Sequence, residues 1–430
     1  MKLQGILAAF CVLSSAAQNQ NVPIVLSNVT IIDTANGTAK PNLAIEISDH
    51  RFAEVAKAGT LNNPKGAQVI DANGKFLIPG LWDMHVHLGN ATEAALPLLV
   101  ASGVTGVRDM GSPSFETLRR WRIEALAGRR IAPRIVAAGP ILDGGPPDAT
   151  RLIVHNAAEA RRAVDYLGEA GVDFIKVHEH LSRESYFAIA DEARTLGLPM
   201  AGHLPVDQKG FAVSGIEASD AGQKCLEHLM GVPFPGDPTI PELLKTLAKN
   251  GTWVDPTLTV YWNRAHIREL QDKPDPRRKC VAPALKQFWE EQVRGFSSDT
   301  KVPEMLLQFR MSGVKTLYDA GIPLLAGTDT GFPYVIPGDL PKELEYLVEA
   351  GLPASEALRA ATLNAARYLG REHELGTIEK GKLADAVLLN ANPLENIRNL
   401  TNIDAVILNG RLLDRKALDR LLIEVEQAVK

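Results

Sequence analysis

Residues 76–87 read FLIPGLWDMHVH, an apolar run that ends in two histidines separated by one valine. A short apolar run of this kind is typical of a buried β-strand. Side chains along a strand alternate between its two faces, so His85 and His87 lie on one face, about 7 Å apart. Two imidazoles at that distance can bind one metal ion. The pair is weak evidence alone, because paired histidines also occur as ordinary polar residues on protein surfaces.

From residue 78 onward, short apolar strands alternate with longer helical patterns, which is typical of parallel β/α units. Eight strands are predicted: Leu81–Leu88, Thr105–Asp109, Arg134–Ala138, Asp173–His178, Pro199–Leu204, Lys224–Leu229, Thr252–Thr257 and Pro323–Thr328. The helices predicted between them include Ala157–Glu169, Ser182–Leu196 and Leu306–Ala320. Eight units over roughly 290 residues predict an α/β fold of the TIM (β/α)8 barrel type, enlarged by loops. A doubly wound open sheet is the alternative.

Strand patterns also occur on both sides of this region. The predicted strands are Ile24–Ile32, Leu43–Ile47, Phe52–Val55, Gln68–Ile70, Leu375–Lys380, Asp385–Leu389 and Ala405–Leu408. We expect the two chain ends to build one small β-sandwich domain, followed by a packing helix over Lys416–Val429. The predicted organisation is a signal peptide at 1–17, a β domain from 18–75 and 373–430, and a barrel at 76–372.

The first residues have the composition of a secretory signal peptide. Lys2 supplies a positive end, residues 6–13 an apolar stretch, and residues 15–17 (SAA) a cleavage site before Gln18. A buried N-terminal helix is the alternative. The apolar stretch is too short to span a bilayer, so we expect a secreted or periplasmic protein without membrane attachment after cleavage.

Composition excludes some classes of partner. The formal net charge is −5 and no dense Lys/Arg tract occurs, which argues against a nucleic-acid partner. Cleavage would leave only Cys225 and Cys280, too few for a disulfide framework. Whether these two cysteines pair stays open.

In a TIM barrel the chemistry gathers at the carboxyl ends of the strands. Five predicted strands end in side chains that can bind a metal or move a proton: His85 and His87, Lys176 with His178, His203, His228, and Asp329. One histidine at a strand end is usually an ordinary polar residue. Five such ends in this order are hard to reach by chance.

This set resembles the amidohydrolase superfamily of metal-dependent hydrolases, and the resemblance extends to residues 376–385 (GTIEKGKLAD). The resemblance implies two divalent metal ions. His85, His87 and Asp329 would bind one ion, and His203 and His228 the other. Lys176, carboxylated by CO2, would bridge both. Zinc suits imidazole and carboxylate ligands, while manganese, cobalt and iron stay open.

Physical chemistry agrees with a modified lysine at this place. An unmodified Lys176 beside two divalent cations would suffer charge repulsion and desolvation, whereas its carbamate is an anionic oxygen ligand. The alternative is a lysine paired with a buried carboxylate. The implied metal pair would polarise a carbonyl and activate a water, with Asp329 as general base and later as proton donor to the leaving group.

Within the superfamily, residues 173–178 (DFIKVH), 202–205 (GHLP) and 227–229 (EHL) narrow the resemblance. They look most like the carboxypeptidase- and prolidase-like group, namely Xaa-Pro and Xaa-Arg/Lys dipeptidases and fungal ochratoxin-hydrolysing amidases. All cleave an amide next to a free carboxylate. Deaminase relatives usually carry His-x-x-Glu on the fifth strand. Residues 203–206 read HLPV, without glutamate, which counts against deamination.

Three residues are candidates for substrate contacts. Tyr261 can donate its hydroxyl to a developing oxyanion, or simply pack its loop. His155 and His178 can bind a substrate carboxylate. Strand alternation turns His178 inward with Lys176, whereas His155 is equally consistent with a surface residue.

Two further motifs have structural interpretations. Arg108 and Asp109 are interpreted as an ion pair, with a functional role as the alternative. Residues 376–382 (GTIEKGK) match the first part of a phosphate-binding loop, but Leu383 follows in place of Ser or Thr. A hairpin turn in the β domain explains that stretch better.

The sequence therefore predicts an exported, binuclear metal-dependent hydrolase. Its substrate would be a small amide or peptide, such as a dipeptide, an N-acyl amino acid or an ochratoxin-like amide. A lactonase or esterase with the same metal site is one alternative, and an exported binding protein without catalysis is another. No interface signal decides the oligomeric state, and a homo-oligomer stays open.

Overall fold

The computed structural model describes residues 22–296 and 300–430 of the chain, so the predicted signal peptide lies outside the described residues. The strands within these ranges are β1 (Ile24–Asp33), β2 (Thr38–Ser48), β3 (Arg51–Lys57), β4 (Gln68–Asp71), β5 (Phe76–Pro79), β6 (Leu81–Val86), β7 (Val104–Asp109), β8 (Arg134–Ala137), β9 (Ile141–Asp143), β10 (Arg151–Ile153), β11 (Ile175–Val177), β12 (Met200–Gly202), β13 (Val206–Asp207), β14 (Gly210–Phe211), β15 (Gln223–Glu227), β16 (Trp253–Asp255), β17 (Ala386–Leu389), β18 (Ile403–Leu408) and β19 (Arg411–Asp414).

The helices in the same ranges are α1 (Leu88–Ala91), α2 (Ala95–Ala101), α3 (Phe115–Leu126), α4 (Ala157–Ala170), α5 (Arg183–Thr195), α6 (Gly215–Asp220), α7 (Ile240–Asn250), α8 (Leu258–Ala265), α9 (Ile267–Asp272), α10 (Pro283–Val293), α11 (Lys301–Asp319), α12 (Leu340–Glu349), α13 (Ala354–Ala360), α14 (Leu363–Tyr368) and α15 (Arg415–Ala428). Two 3-10 helices cover Pro276–Cys280 and Ile397–Thr401. Within the described residues, no helix has both the length and the apolar composition needed to cross a bilayer.

Both ends of the chain contribute strands to one sheet of eight strands. Its order is β19-β18-β17-β5-β1-β2-β3, with β4 paired to β1. Residues such as Leu26, Ile45, Phe52 and Ile407 form a separate apolar core on this sheet. The sequence predicted shared strands from both ends, and these are present. The sandwich form of the domain stays a prediction.

The strand predicted at Leu375–Lys380 is wrong, since that segment folds into turns and bends. Lys382 explains the difference. Its Nζ donates to the carbonyl of Glu372 and to the hydroxyl of Thr377, each at 2.6 Å, which folds the segment back on itself. The backbone of residues 381–382 then bonds to Phe52 at the edge of β3. The segment therefore forms neither a phosphate-binding loop nor the hairpin expected there.

The middle of the chain forms two all-parallel sheets, with helices between most successive strands. One sheet has the order β6-β7-β8, and the other β10-β9-β11-β12-β15-β16. Most strands are shorter than the sequence predicted but lie at the predicted places. The helices predicted over 157–169, 182–196 and 306–320 are confirmed as α4, α5 and α11, and the terminal one as α15. This is an α/β architecture.

The strand predicted at Pro323–Thr328 is not regular. Residues near it form isolated bridges, Leu324 with Val254 and Thr330 with Val86. The reason is that Thr328 directs both its backbone N–H and its hydroxyl to the carboxylate of Asp83, at 3.0 and 2.7 Å. The segment nevertheless bonds to neighbours on both sides, because Met84 donates to residue 326 and residue 325 to Val254.

Arg108 on β7 is buried, with a side chain that is 0% exposed. It donates to both carboxylate oxygens of Glu227, at 2.9 and 3.0 Å, and to Asp255 at 3.3 Å. The ion pair between Arg108 and Asp109 inferred from the sequence is therefore wrong. Adjacent strand residues face opposite sides, and Asp109 instead accepts from Ser112 and from the backbone of Leu88.

Close packing between β6 and β7 requires a glycine. Gly106 on β7 is paired with Trp82 on β6, and an added Cβ would lie 2.1–2.5 Å from indole atoms. Trp82 is among the largest fully buried side chains, so it has no free space to move into.

Gly106→Ala is predicted to lower the free energy of unfolding by about 1–3 kcal/mol, because the methyl group forces Trp82 out of its place. Gly313→Ala, within helix α11, is the matched control, since an added Cβ there would lie 3.9 Å from Val232, an ordinary contact. Alanine there should stabilise by about 0.5–1 kcal/mol. Urea unfolding measures both, and a neutral Gly106→Ala would contradict the described packing.

Arg108→Met is predicted to lower the free energy of unfolding by about 3–5 kcal/mol, because it leaves the Glu227 carboxylate buried without its cation. Arg119→Met on helix α3 is the control. Its side chain is 55% exposed, so a change within about 0.5 kcal/mol is expected. Equal effects of the two substitutions would refute the buried pair.

Candidate metal centre

Strand β6 directs two imidazoles at one carboxylate. The Nε2 atoms of His85 and His87 lie 3.6 and 3.2 Å from Oδ1 of Asp329. The opposite ring nitrogen is anchored in both cases. Nδ1 of His85 lies 3.0 Å from Oε2 of Glu227, and Nδ1 of His87 lies 3.1 Å from the carbonyl of Gly111. Each Nδ1–H donates to its acceptor, so in the neutral ring Nε2 carries the lone pair.

His228 follows the same rule at the end of β15. Its Nδ1 lies 2.6 Å from the hydroxyl of Thr257, and that hydroxyl donates to the carbonyl of Pro256. The hydroxyl therefore accepts from Nδ1, which again frees Nε2. One ligand atom from each of His85, His228 and Asp329 lies within 4.8 Å of the others. This is close enough to hold one ion.

Three residues in or beside this cluster have left-handed backbone conformations. His228, Thr257 and Asp329 have φ of 58°, 47° and 58°. Non-glycine residues rarely adopt this region because the Cβ crowds the following carbonyl, at a cost of about 1–2 kcal/mol each. Such strain is typical of functional sites, where the surrounding structure maintains it. Here it turns the side chains that follow the strands toward the cluster.

His203 and Lys176 extend the cluster along β12 and β11. The ring centroid of His203 lies 4.7 Å from that of His228 and 4.2 Å from that of His178. Lys176 is 1% exposed, and its Nζ has no hydrogen-bond partner in the described residues. An ammonium without a partner in such a place is costly. The structure thus brings all six predicted metal ligands to one edge.

Burial and mutual repulsion govern the ionisation of this cluster. Burial lowers the pKa of His85 and of His203 well below the usual value, and the charge of Lys176 adds to both effects. Burial also lowers the pKa of Lys176 to about 8, against the opposing charges of Glu227 and Asp329. Neutral imidazole is the form that binds metals.

Asp329 is ionised in the same surroundings. Burial alone would raise the pKa of its carboxyl, but the contact with His87 and the charges of His228 and Lys176 lower that pKa to about 2. Asp329 also acts on its neighbour. Burial would lower the pKa of His87, and the contact with Asp329 raises it above the usual value. An anionic oxygen therefore faces the Nε2 atoms of His85 and His87.

His178 belongs to an adjoining group around the buried Asp143, which the sequence analysis did not identify. Nδ1 of His178 lies 3.3 Å from Oδ2 of Asp143, and Nδ1 of His180 lies 3.1 Å from the same oxygen. Arg151 completes the group with an ion pair to Asp143. Asp143 ends the short strand β9 and belongs to no motif, so only tertiary structure reveals it.

The other two residues predicted to contact the substrate, Tyr261 and His155, are not part of the cluster itself. The hydroxyl of Tyr261 donates to the carbonyl of His228 at 2.6 Å, and the Arg310 guanidinium lies over its ring. Tyr261 therefore borders the cluster with its hydroxyl already bonded. His155 is exposed, and none of its contacts in the described residues reaches the cluster.

The donor set fits divalent cations. Buried atoms without a hydrogen-bond partner in the described structure include Nε2 of His85, Nδ1 of His203 and Nζ of Lys176. Buried polar atoms are nearly always paired, so unpaired nitrogens in a cluster with an ionised carboxylate are a suitable donor set for a cation. Glu227 and Thr257 orient these ligands. The sequence offered a signal only for Glu227, which directly precedes His228.

Comparisons with known proteins agree with this site. The sequence model of the amidohydrolase family matches residues 76–413. The adenine deaminase 2 of Rhizobium meliloti is 27% identical over 412 residues, which cover 93% of this chain and 58% of that protein. The chain thus spans little more than half the length of this curated relative.

Solved structures extend the comparison. A protein from Bifidobacterium longum, assigned only provisionally as a prolidase, is 28% identical with a TM-score of 0.75, covering 94% of this chain and 99% of its own. A bottromycin amidohydrolase is 26% identical with a TM-score of 0.76, covering 94% of this chain and 90% of its own. Together with the matched family model, which spans most of the chain, these similarities confirm the superfamily resemblance: the chain belongs to the amidohydrolase family, whose members are metal-using hydrolases.

Proposed function

We propose that this protein is a binuclear metal-dependent hydrolase that cleaves an amide or peptide bond next to a free carboxylate in a small substrate. One observation carries the proposal. The free nitrogens of His85, His87 and His228 face a single ionised carboxylate, Asp329, beside the unpaired Nζ of Lys176. This is a donor set for cations and has no evident purpose in folding.

The proposed ligand assignment is the one expected from the sequence. His85, His87 and Asp329 would hold one ion, and His203 with His228 the other. Lys176 would bridge them as its carbamate, formed when the neutral amine adds to CO2 and releases a proton. Its burial without a partner supports this modification, because a carbamate oxygen beside cations removes the cost of an isolated ammonium. Zinc suits these ligands.

The chemistry supplied by divalent cations at this site is Lewis-acid activation of a carbonyl and of water. The chain itself supplies proton transfer. Oδ1 of Asp329 faces His87, so Oδ2 is the oxygen that accepts a proton from the attacking water and returns it to the leaving nitrogen. Its contact with His87 fixes the carboxylate in one orientation, so this transfer needs no rearrangement of the ligands.

Recognition of the substrate carboxylate is assigned to the side chains that border the cluster. His178 stacks on His203 and is held by Asp143, so it can present its remaining nitrogen to an anionic substrate group. Tyr261 would serve as an oxyanion donor once its hydroxyl leaves the His228 carbonyl. His155 keeps a peripheral role in this proposal, as an exposed residue that an extended substrate can reach.

The substrate class rests on the solved relatives. The provisional prolidase and the bottromycin amidohydrolase both carry names that indicate amide chemistry. The match with this chain covers 99% and 90% of their lengths. The adenine deaminase favours a different C–N bond, but this chain covers only 58% of it. The lack of glutamate in residues 203–206 also favours amide cleavage.

We also infer that the parallel strands close into one eight-stranded barrel at 76–372, with 18–75 and 373–430 as the β domain. Backbone bonds from residues 325–326 and 329–330 toward Val254, Met84 and His87 support closure on one side. The bond from Asp173 to Ala137 supports it on the other. Export through residues 1–17 completes the proposal.

The test is a substrate panel assayed with protein expressed in the presence of bicarbonate and divalent metal. The panel contains N-acyl amino acids, dipeptides, lactones and adenine. We predict the highest kcat/KM on an amide that carries a free carboxylate. Asp329→Asn should lower kcat/KM by about 100-fold or more, because it removes the proton acceptor.

Asp319→Asn is the matched control, since this aspartate lies 56% exposed on helix α11 and should keep full activity. Near-wild-type turnover by Asp329→Asn would refute the mechanism. Preference for lactones would establish the esterase alternative, and preference for adenine a deaminase. Substrate binding without any product would leave a binding protein.

A further inference from the structure

A cavity lies at the end of the parallel strands opposite the candidate metal centre. Its volume is about 400 Å³, within the range of small-molecule sites. Arg134 at the start of β8, Pro199 just before β12 and Lys224 near the start of β15 line it. The histidines of the metal centre follow the carboxyl ends of these or neighbouring strands. The two sites therefore share no ligand residue.

The hairpin between β18 and β19 covers this cavity from the other sheet. Asn409 and Arg411 of the hairpin line it together with Asp385. Arg134 connects the two parts, because it donates to Asp385 at 2.6 Å and to the side-chain oxygen of Asn409 at 3.0 Å. The cavity is thus a built space between two layers of the fold.

Positive charge dominates the lining. Seven lining residues are arginine or lysine and two are aspartate. Five of the arginines have carboxylate partners, for example Arg122 with Asp173 and Arg134 with Asp385. Lys224 and Arg411 have no carboxylate partner in the described residues. Two cationic charges consequently remain uncompensated.

These two side chains make only weak contacts. The ammonium of Lys224 lies 4.6 Å from the ring centroid of Tyr368, and Arg411 donates to the carbonyl of Gly128 at a long 3.4 Å. Burial, with the nearby charge of Arg108, lowers the pKa of Lys224. The Nε of Arg122, another lining residue, is buried without a hydrogen-bond partner. Donors are therefore in excess over acceptors.

The rest of the lining is apolar. Phe174 and Tyr368 provide aromatic surface, and Ile135, Leu369 and Leu413 provide aliphatic surface. An apolar wall with a few convergent polar groups is the usual composition of a ligand site. A hydrated inorganic ion would leave this wall unused.

We propose that this cavity binds a small organic anion, with its anionic group drawn to Lys224 and Arg411 and its apolar body packed against Phe174 and Tyr368. The site is independent of the proposed hydrolysis. It requires only a carboxylate or phosphate group on a body small enough for the cavity.

The test is isothermal titration of the full-length protein with 4-bromobenzoate, benzamide and inorganic phosphate. Bromobenzoate is expected to bind at least tenfold more tightly than either other probe, since only it combines charge with an aromatic body. Equal binding of neutral benzamide would overturn the role of charge. Equal binding of phosphate would overturn the role of the apolar wall.

Variants locate the binding. Lys224→Gln and Arg411→Gln should each weaken bromobenzoate binding about tenfold, the loss typical of a partly buried charged contact. Lys224→Arg should retain it within threefold, which separates charge from folding. Lys245→Gln, at an exposed lysine of helix α7, is the control. Unchanged binding in Lys224→Gln would overturn the proposal, because a carboxylate held at the histidine cluster does not need Lys224.

A crystal soaked with the same compound gives an independent readout. The anomalous signal of bromine is expected beside Tyr368. A bromine peak only at the histidine cluster would contradict the proposal.

Discussion

The buried contact between Arg108 and Glu227 is the interaction on which the arrangement of the metal centre depends. Removing two charges from water is costly, so such a pair seldom adds stability by itself. Its consequence is orientation. Arg108 fixes the carboxylate of Glu227, and Oε2 of Glu227 accepts a hydrogen bond from Nδ1 of His85. The free nitrogen of His85 then faces Asp329. Gly111 and Thr257 accept from Nδ1 of His87 and His228 in the same way, so a separate acceptor orients each of the three imidazoles.

The sequence predicted that the candidate ligands lie together, because each is a polar residue at the end of an apolar strand and parallel strands bring such ends together. It could not predict what orients them. Glu227 and Arg108 are far apart in the chain, and Asp143 has no motif. One predicted strand is wrong and another is irregular, each for a local reason: Lys382 and Thr328 direct hydrogen bonds to carbonyls and side chains, which apolar patterns do not reveal. The predicted ion pair between Arg108 and Asp109 does not form, because neighbouring residues on a strand face opposite sides.

The two ends of the parallel strands differ in character. At the carboxyl ends, left-handed residues and short loops crowd imidazoles around one carboxylate. At the amino ends, the hairpin of the other sheet encloses a cationic space lined by Phe174 and Tyr368. Arg108 reaches both, since its guanidinium lies 4.9 Å from the ring centroid of Tyr368. The relatives of this chain include an adenine deaminase and a bottromycin amidohydrolase, so the fold alone does not decide the substrate.

The most direct test of the central claim is the metal content per chain, measured by elemental mass spectrometry. The protein should be expressed with bicarbonate and divalent metal and purified without chelator. The account predicts about two ions per chain, since a bridged pair needs both halves of the donor set. About one ion per chain would contradict the bridged pair and leave Lys176 unmodified. No bound metal, even after reconstitution, would contradict the assignment of these residues as ligands.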